Sequence, residues 1–364
     1  MYAAGPLASV LTNKYDCRRV TIFGGLVMAL GLGITFFASS IYFIMVSFGI
    51  LTGFGAGLCY IPAVAIVSYY FDRRRSFAIG LAVSGIGLGS FGFPPLIRFL
   101  YHEYGWQGSF LVLAALILNI CVCGALMRPV RVKEIDDAEK FKLMDLSVFR
   151  NYGFILLCVN NVLVCFGLSV VYIHLAAYSE SKGTDPERSS LLMSAIGISN
   201  LVGRVVFGSL GQFRRLDVSV MYGVAFALSG LAIILMPALH GYVLRMVLGS
   251  LFGMLSGCFG TLLVPILAAL VGLHRFSNAY GLLLIFEGLG ALSGAPFAGW
   301  LFDMAEQYDV SLFVGGGFIA LSSTFMVGPF IKIRSDAKND VMELQVDDLQ
   351  VIEEKGKLDG SITT

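Results

Sequence analysis

Ten apolar runs, each close to the length needed to cross a lipid bilayer, constrain this chain more than any other feature. A membrane-spanning helix needs about 20 consecutive apolar residues. Because lipid offers no partners to backbone N–H and C=O groups, such runs must be helical. The sequence therefore predicts an all-α polytopic membrane protein. The runs cover residues 20–39, 41–69, 77–101, 109–127, 152–178, 190–210, 218–239, 242–271, 279–301 and 310–331.

The overall composition supports a lipid environment and excludes several classes of function. Only 13% of the 364 residues are charged and 57% are hydrophobic, whereas soluble domains contain about 25% charged residues. A net charge of +1 without a basic stripe gives no indication of a nucleic-acid partner. We find no His/Glu metal spacing and no nucleophile elbow beside the runs. We therefore expect neither an enzyme nor a bound cofactor or metal.

The charged loops between the runs predict an orientation. Basic clusters such as Arg18–Arg19, Arg73–Arg75 and Arg214–Arg215 fall in alternate loops, whereas the opposite loops hold only Lys182 and Arg188. We call the side with the clusters the basic face and the other side the opposite face. By the positive-inside rule the basic face is cytoplasmic. We expect a multi-pass plasma-membrane protein with its C-terminus in the cytoplasm.

An internal repeat relates the two halves of the chain. Repeats of equal orientation are typical of two helical bundles related by an axis along the membrane normal. Glycines spaced by four residues let such helices approach closely. Three motifs recur at offsets of 200, 201 and 203 residues: Gly49, Gly53 and Gly57 with Gly249, Gly253 and Gly257; A-x-G-L at 78–81 and 279–282; and G-x-L at 5–7 and 208–210.

The repeat defines the expected domain organisation. Residues 1–127 form a first bundle, 128–151 a charged cytoplasmic linker, and 152–333 a six-helix second bundle. Residues 334–364 are acidic and poor in aromatic residues, so we expect a disordered cytoplasmic tail. The apolar stretch before Asn13 is too short to span a bilayer. Comparison with the second half predicts that the first helix and most of the second are missing from the first bundle.

Arg204 is the one formal charge in the apolar run LLMSAIGISNLVGRVVFGSL, residues 191–210. A guanidinium stays protonated in proteins, and placing it at a helix centre costs about 2.5–3.5 kcal/mol. Ten residues separate it from Arg214, which is about 15 Å along a helix and too deep for easy snorkelling. A functional site facing the bundle interior is therefore favoured over an arginine that serves only insertion.

The stretch YYFDRRRSFAIGLAVSG, residues 69–85, resembles the monocarboxylate transporter family of the major facilitator superfamily. The pattern Y-F-x-R-R-R-x-x-A-x-G-x-A-x-S-G after the fourth helix is among the most recognisable of that family. The resemblance extends from the first residue to about residue 331. Further matches are Gly5-Pro6-Leu7, Tyr104-Gly105-Trp106, CVCGALMRP at 121–129, Leu270-Val271-Gly272 leading to Arg275-Phe276-Ser277, and Gly294-Ala295-Pro296 with Gly299 and Asp303.

The resemblance implies a fold of twelve helices in two bundles, with alternating access to a central site. It also implies that Arg204 pairs with a substrate carboxylate, which agrees with the bidentate fit of guanidinium to carboxylate. Proton-coupled members carry an aspartate one turn earlier, where this chain has Asn200. An amide cannot carry a proton or a charge, so facilitated diffusion is favoured. The family's first helix, which bears a carboxylate-binding lysine in lactate carriers, has no counterpart here.

Other polar residues within the runs are candidate substrate contacts. Glu287 is a candidate interior partner of Arg204 or part of a gate, unless it only bonds nearby backbone. Asn160 and His174 are 14 residues apart, nearly four helical turns, so they share a face; His174 is alternatively an interfacial residue. Proline bends helices, and the basic turns are typical of conformational latches. The candidate gating residues are Arg73, Arg74, Arg75, Arg275, Pro62 and Pro265.

These observations predict a secondary transporter of small monocarboxylates or related organic anions and zwitterions. The lipid bilayer and the small-molecule substrate are the expected partners, and some members of the resembled family also need a single-span glycoprotein for surface delivery. The alternative is a non-transporting truncated isoform or a membrane trafficking or regulatory partner. The substrate itself is left open, with lactate, ketone bodies, creatine-like zwitterions and aromatic amino acids all offering a carboxylate.

Overall fold

A computed structural model describes residues 1–71, 74–128, 145–213, 216–239 and 241–335. Most of the predicted linker, residues 129–144, and the predicted tail from residue 336 lie outside the described residues, as does Arg73. The described part of the chain is built of helices. We number the main ones α1 to α10: Gly5–Thr35, Ile41–Tyr70, Arg75–Ile117, Asn119–Leu126, Tyr152–Ser181, Pro186–Leu210, Val218–Ala238, Tyr242–Ser256, Cys258–Ala305 and Tyr308–Phe325.

Within the described residues, nine helices are long and apolar enough to cross a membrane, and the shorter apolar helix Arg75–Gly89 adds to them. The predicted spans 77–101 and 109–127 fall on α3 and α4, on either side of Gly105. Their ends shift by a few residues; the run 20–39, for example, is helical only to Thr35. The prediction of an all-helical polytopic membrane protein is confirmed.

Three of the helices are divided where the chain reverses at the basic or the opposite face. α1 breaks at Asp16 (φ 70°), α3 at Gly105 (φ 68°) and α9 at Gly272 (φ 74°). We call the arms α1a (5–15) and α1b (17–35), α3a (75–104) and α3b (106–117), and α9a (258–271) and α9b (273–305). A positive φ is accessible to glycine without steric cost. Each break therefore separates two helical arms.

The reversal at Asp16 is visible in the packing of the two arms of α1. A methyl group at Gly57 would lie 2.7 Å from the Ala4 Cβ atom, and one at Gly24 would lie 2.8 Å from the Leu58 Cβ atom. Ala4 and Gly24 would be about 30 Å apart in a straight helix. Because both contact neighbouring residues of α2, the arms must run antiparallel.

The repeated motifs meet at the interface between the two bundles. Gly5 in α1a packs on α9b, where a methyl group would lie 2.7 Å from the carbonyl oxygen of Gly281. Gly208 in α6 packs on α3a in the same manner, with 3.3 Å from such a methyl group to the Gly80 Cα atom. Each contact joins a G-x-L motif to the A-x-G-L motif of the other half. The sequence repeat is therefore also a repeat of the inter-bundle contact.

The glycine ladders pack helices together within each bundle. Gly57 of α2 lies against Ala4, just before α1a. Gly257, which follows α8, lies against α6, where a methyl group would be 2.6 Å from the Asn200 carbonyl oxygen. No described atom lies within 4 Å of a methyl group at Gly49, so Gly49 does not pack closely against another described helix. The remaining contacts match the prediction that these glycines allow close approach.

Candidate functional site

Arg204 lies on α6 with its side chain turned into the protein, and only 7% of the residue is exposed. Its Nε atom donates a hydrogen bond of 2.9 Å to Oδ1 of Asn200, one turn earlier. The Asn200 Nδ2 atom in turn donates to the carbonyl oxygen of Gly253 at 3.2 Å and to Oγ of Ser256 at 3.1 Å. This network fixes the guanidinium through Nε. Within the described residues, both terminal nitrogens are left for another acceptor.

A helix break lies directly beside the guanidinium. α9 departs from helical geometry at Phe259 and Gly260, immediately after the end of α8 at Ser256. A methyl group at Gly260, whose φ is 21°, would lie 3.6 Å from the Arg204 Nη1 atom. Discontinuous helices at mid-membrane depth are typical of transporter binding sites, where irregular backbone lines a cavity. Pro265, a predicted bending point, follows this break by five residues.

Arg204 and Asn200 line a cavity of about 810 Å³. Its walls combine apolar side chains with hydroxyl groups and two arginines, and none of the described lining residues is acidic. Such an electrostatic environment favours an anion with an apolar portion. The lining residues are Ile86, Gly87, Pro95, Arg98, Leu168, Tyr172, Ser190, Met193, Ser194, Ile196, Gly197, Asn200, Arg204, Ser256 and Phe259.

The cavity extends from Arg204 towards the opposite face. Along α6 the lining residues pass from exposed Ser190, through half-buried Ser194 and Asn200, to buried Arg204. Ser190 lies four residues after Pro186, where α6 begins at the opposite face. Arg204 therefore lies at the inner end of an entry path from that face.

On the other side of Arg204 the two bundles are in contact. A methyl group at Gly80 of α3a would lie 2.7 Å from the Arg204 carbonyl oxygen. Nearby, the Tyr280 hydroxyl of α9b donates a 3.1 Å hydrogen bond to the Tyr60 hydroxyl of α2, and the two rings stack with centroids 6.1 Å apart. Tyr280 follows Arg275 at the basic face by about 7.5 Å of helix. The pair therefore closes the path between the site and the basic face.

Removing the hydroxyl of Tyr280 is expected to weaken this closure. In Tyr280→Phe the ring stack remains, but a hydrogen bond worth about 0.5–1.5 kcal/mol is lost. Ser76, which is buried against Gly211, becomes the reporter. We expect the thiol of Ser76→Cys to react about two- to tenfold faster in the Tyr280→Phe background. Mass spectrometry of labelled protein measures the rate.

Tyr222→Phe is the matched control for that measurement. The Tyr222 hydroxyl is fully buried and has no hydrogen-bond partner among the described residues. Its removal should leave the labelling rate unchanged. Equal rates for Tyr280→Phe and Tyr222→Phe would contradict a role for the hydroxyl pair in closure.

Glu287 is buried in α9b but does not line the cavity, and within the described residues it forms no ion pair with Arg204. Its Oε1 atom has no hydrogen-bond partner among those residues. Its electrostatic neighbours include Tyr60 and Tyr280, which are also electrostatic neighbours of Arg204. Both residues are therefore near the tyrosine pair, and the direct pair that the sequence suggests does not form among the described residues.

Asn160 and His174 share one face of α5, as their spacing predicts, but this face packs against other helices. The Asn160 Nδ2 atom donates to the Ser322 carbonyl oxygen at 2.7 Å. The His174 ring lies 5.3 Å from the Tyr308 ring and 6.1 Å from the Phe302 ring. Neither residue belongs to the described cavity lining. The periodicity identifies the shared face and gives no information about what covers it.

The predicted gating residues do not form one cluster among the described residues, and each has different surroundings. Arg75 donates from Nε to the Ser68 carbonyl oxygen at 3.1 Å. Arg275 lies 3.7 Å from the Asp145 carboxylate and donates to Ser147 at 3.3 Å. Arg74 is exposed beside the start of α3, and Pro62 is buried inside α2.

Sequence reasoning missed several of the residues that line the cavity. Tyr172, Ser256 and Arg98 come from three different helices, α5, α8 and α3a. Arg98 lies within an apolar run as Arg204 does, but it is close to the end of that run, where an arginine reaches the interface without cost. Phe259 also lines the cavity, whereas Phe252 packs on Tyr172 with ring centroids 5.7 Å apart.

Comparison with known proteins places this geometry in a family. A sequence model described as Major Facilitator Superfamily matches residues 1–294 and 157–343. Monocarboxylate transporter 12 of Rattus norvegicus is 33% identical over 377 residues, covering 94% of this chain and 77% of that relative. Monocarboxylate transporter 2 of the same species is 34% identical over 348 residues, covering 89% and 71%.

Solved structures give the same fold. The transporter FucP, crystallised in the outward conformation, superposes with a TM-score of 0.72 at 14% identity, covering 90% of this chain and 88% of FucP. The human organic anion transporter MFSD10 (TETRAN) also reaches 0.72 at 15% identity, with coverage of 89% and 80%.

The fold and the sequence match together define a membrane transporter of the major facilitator superfamily, and not an enzyme. Within that superfamily, the chain belongs to the monocarboxylate transporter family.

Proposed function

We propose that the protein carries small monocarboxylates, or related organic anions and zwitterions, by facilitated diffusion with alternating access. The observation that carries this proposal is Arg204: a buried guanidinium held through Nε by Asn200 at the inner end of a cavity without a described acidic lining residue. The fixed Nε leaves the terminal nitrogens to meet a carboxylate. A charge-assisted bond to a carboxylate compensates part of the cost of burying the cation.

The surroundings of Arg204 fit a passive carrier better than a proton-coupled one. Asn200 holds the arginine with an amide, which has no titratable proton, at 2.9 Å from Nε. The buried carboxylate of Glu287 does not pair with Arg204 among the described residues. Without a carboxylate in direct contact with Arg204, substrate binding does not require protonation of a partner.

The contacts between the bundles support alternating access. In the described state the cavity extends to the opposite face, while the glycine contacts and the Tyr60–Tyr280 pair close the basic face. Release there requires the G-x-L and A-x-G-L motifs to separate. Because the same contact joins the two halves twice, each bundle can move as a unit when these contacts open.

Uptake by reconstituted protein tests both parts of the proposal. We expect saturable uptake of at least one member of a panel containing lactate, a ketone body, creatine and an aromatic amino acid. The initial rate should be equal with and without an imposed proton gradient, because no carboxylate pairs with Arg204 in the described residues. A rate that rises severalfold with the gradient would contradict facilitated diffusion. Absence of uptake by correctly inserted protein would favour the non-transporting alternative, a truncated isoform or trafficking partner.

The positions of the charged loops also support a proposal for the orientation and the cellular membrane of the protein. The basic face is cytoplasmic, the C-terminus lies on that side, and the protein acts in the plasma membrane. A single-span glycoprotein that assists surface delivery is part of the same proposal. Surface biotinylation with and without such a partner, together with protease access to the C-terminus, tests these points.

A further inference from the structure

We propose that Arg98 is a second carboxylate-binding residue, which captures the anion at the mouth of the cavity before it reaches Arg204. The proposal rests on the proposed function, because it concerns the entry of the same substrate. Arg98 lies on α3a, lines the cavity that ends at Arg204, and is exposed.

The register between α3a and α6 places Arg98 much closer to the opposite face than Arg204. A methyl group at Gly87 would lie 2.9 Å from the Leu201 Cβ atom, while Gly80 contacts Gly208. The two helices therefore run antiparallel. Arg98 follows Gly87 by 11 residues, or about 16 Å towards the opposite face.

A second lining residue supports this placement. Extending the register pairs Arg98 with the region of Ser190, which also lines the cavity and is exposed. Ser190 precedes Arg204 by 14 residues, which is about 21 Å along a helix. A small carboxylate cannot contact both arginines across that distance. The two residues must act in sequence, Arg98 first for an anion that enters from the opposite face.

The charge of Arg98 is available to a ligand. It forms no ion pair with any residue that the structure describes, and the described cavity lining holds no acidic side chain. Arg188 also lies near the opposite face, but it has an acidic neighbour and does not line the cavity. It lies 4.0 Å from Asp185 and over the ring of Tyr242 at 5.8 Å, outside the cavity lining.

A cation at the mouth of a low-dielectric cleft raises the local concentration of anions and their rate of entry. The gain is modest for an exposed charge, and salt screens it. Arg98 is therefore expected to affect the concentration dependence of entry. The maximal rate depends on the rearrangement around Arg204, which Arg98 does not contact.

Transport kinetics of Arg98→Gln test the proposal. We expect the KM for uptake from the opposite face to rise about two- to fivefold, with an unchanged maximal rate. The difference should disappear near 1 M salt, where the Debye length is about 3 Å. Arg98→Lys, which keeps the charge, should restore most of the affinity.

Arg188→Gln is the matched control, since it removes the same charge from the same face outside the cavity. Equal KM values for Arg98→Gln and Arg188→Gln would overturn the proposal, and so would a difference that persists near 1 M salt, which indicates a structural role. Neither result would affect the assignment of Arg204. Normal transport after loss of Arg204 would instead remove the proposed function itself.

Discussion

Replacing Arg204 with alanine is expected to lower kcat/KM for uptake at least about 100-fold, while the protein still inserts into the membrane. Truncating one partner of a desolvated, hydrogen-bonded charge pair costs about 2–5 kcal/mol, and 2.7 kcal/mol corresponds to that factor. Insertion should survive because the change removes a buried charge from an apolar run. Uptake is measured in proteoliposomes with equal amounts of inserted protein.

Replacing Arg204 with lysine tests whether transport needs the planar guanidinium group or only a positive charge. Arg204→Lys keeps a cation but loses the planar fork that matches a carboxylate and the Nε bond to Asn200. Arg245→Lys is the matched control: Arg245 is also 7% exposed and belongs to the same bundle, but it does not line the described cavity. We expect Arg204→Lys to lose most of its uptake and Arg245→Lys to retain it. Similar losses in both variants would mean that Arg204 serves the fold.

Replacing Asn200 with aspartate is expected to make transport depend on protons. The new carboxylate would accept from the Arg204 Nε atom, now 2.9 Å from the Asn200 Oδ1 atom. At neutral pH an ionised aspartate pairs with Arg204 and competes with the substrate, so uptake should fall at least about tenfold, or 1.4 kcal/mol. As the pH falls, protonation removes the competing charge, and uptake should recover.

The control for this substitution removes the amide without adding a carboxylate. Asn200→Ser loses the bond to Nε and should lower affinity equally at every pH. Initial rates between pH 5.5 and 7.5, at a fixed fraction of ionised substrate, separate the two variants. A pH-independent Asn200→Asp protein with wild-type uptake would show that residue 200 does not govern access to Arg204.

The backbone architecture could be predicted from local sequence, because lipid enforces it. Long apolar runs must satisfy their own hydrogen bonds and are therefore helical. The offset of 200 residues between the glycine ladders indicated two related halves, and the contacts of Gly5 with Gly281 and Gly208 with Gly80 agree. Arg204 was identifiable for the same reason: a charge in the middle of an apolar run has few alternatives to an interior position.

The surroundings of the other polar residues were harder to predict than those of Arg204. Helical periodicity shows which residues share a face of a helix, but it does not show what packs against that face. Asn160 and His174 share a face, but this face meets the Ser322 carbonyl and the aromatic rings of Phe302 and Tyr308. Glu287 is deeply buried, as its position in the run predicts, yet it does not pair with Arg204 in the described residues.

The sequence alone determined the helical character of the apolar runs, the repeat and the buried position of Arg204, because each depends on the pattern of residues along the chain and on the bilayer. Only the tertiary structure decided which side chains share a cavity with Arg204. Arg98, Tyr172 and Ser256 come from helices far apart in sequence. The Tyr60–Tyr280 bond joins residues 220 positions apart. Such contacts follow from how two bundles dock, and docking is set by the shape of whole helix faces.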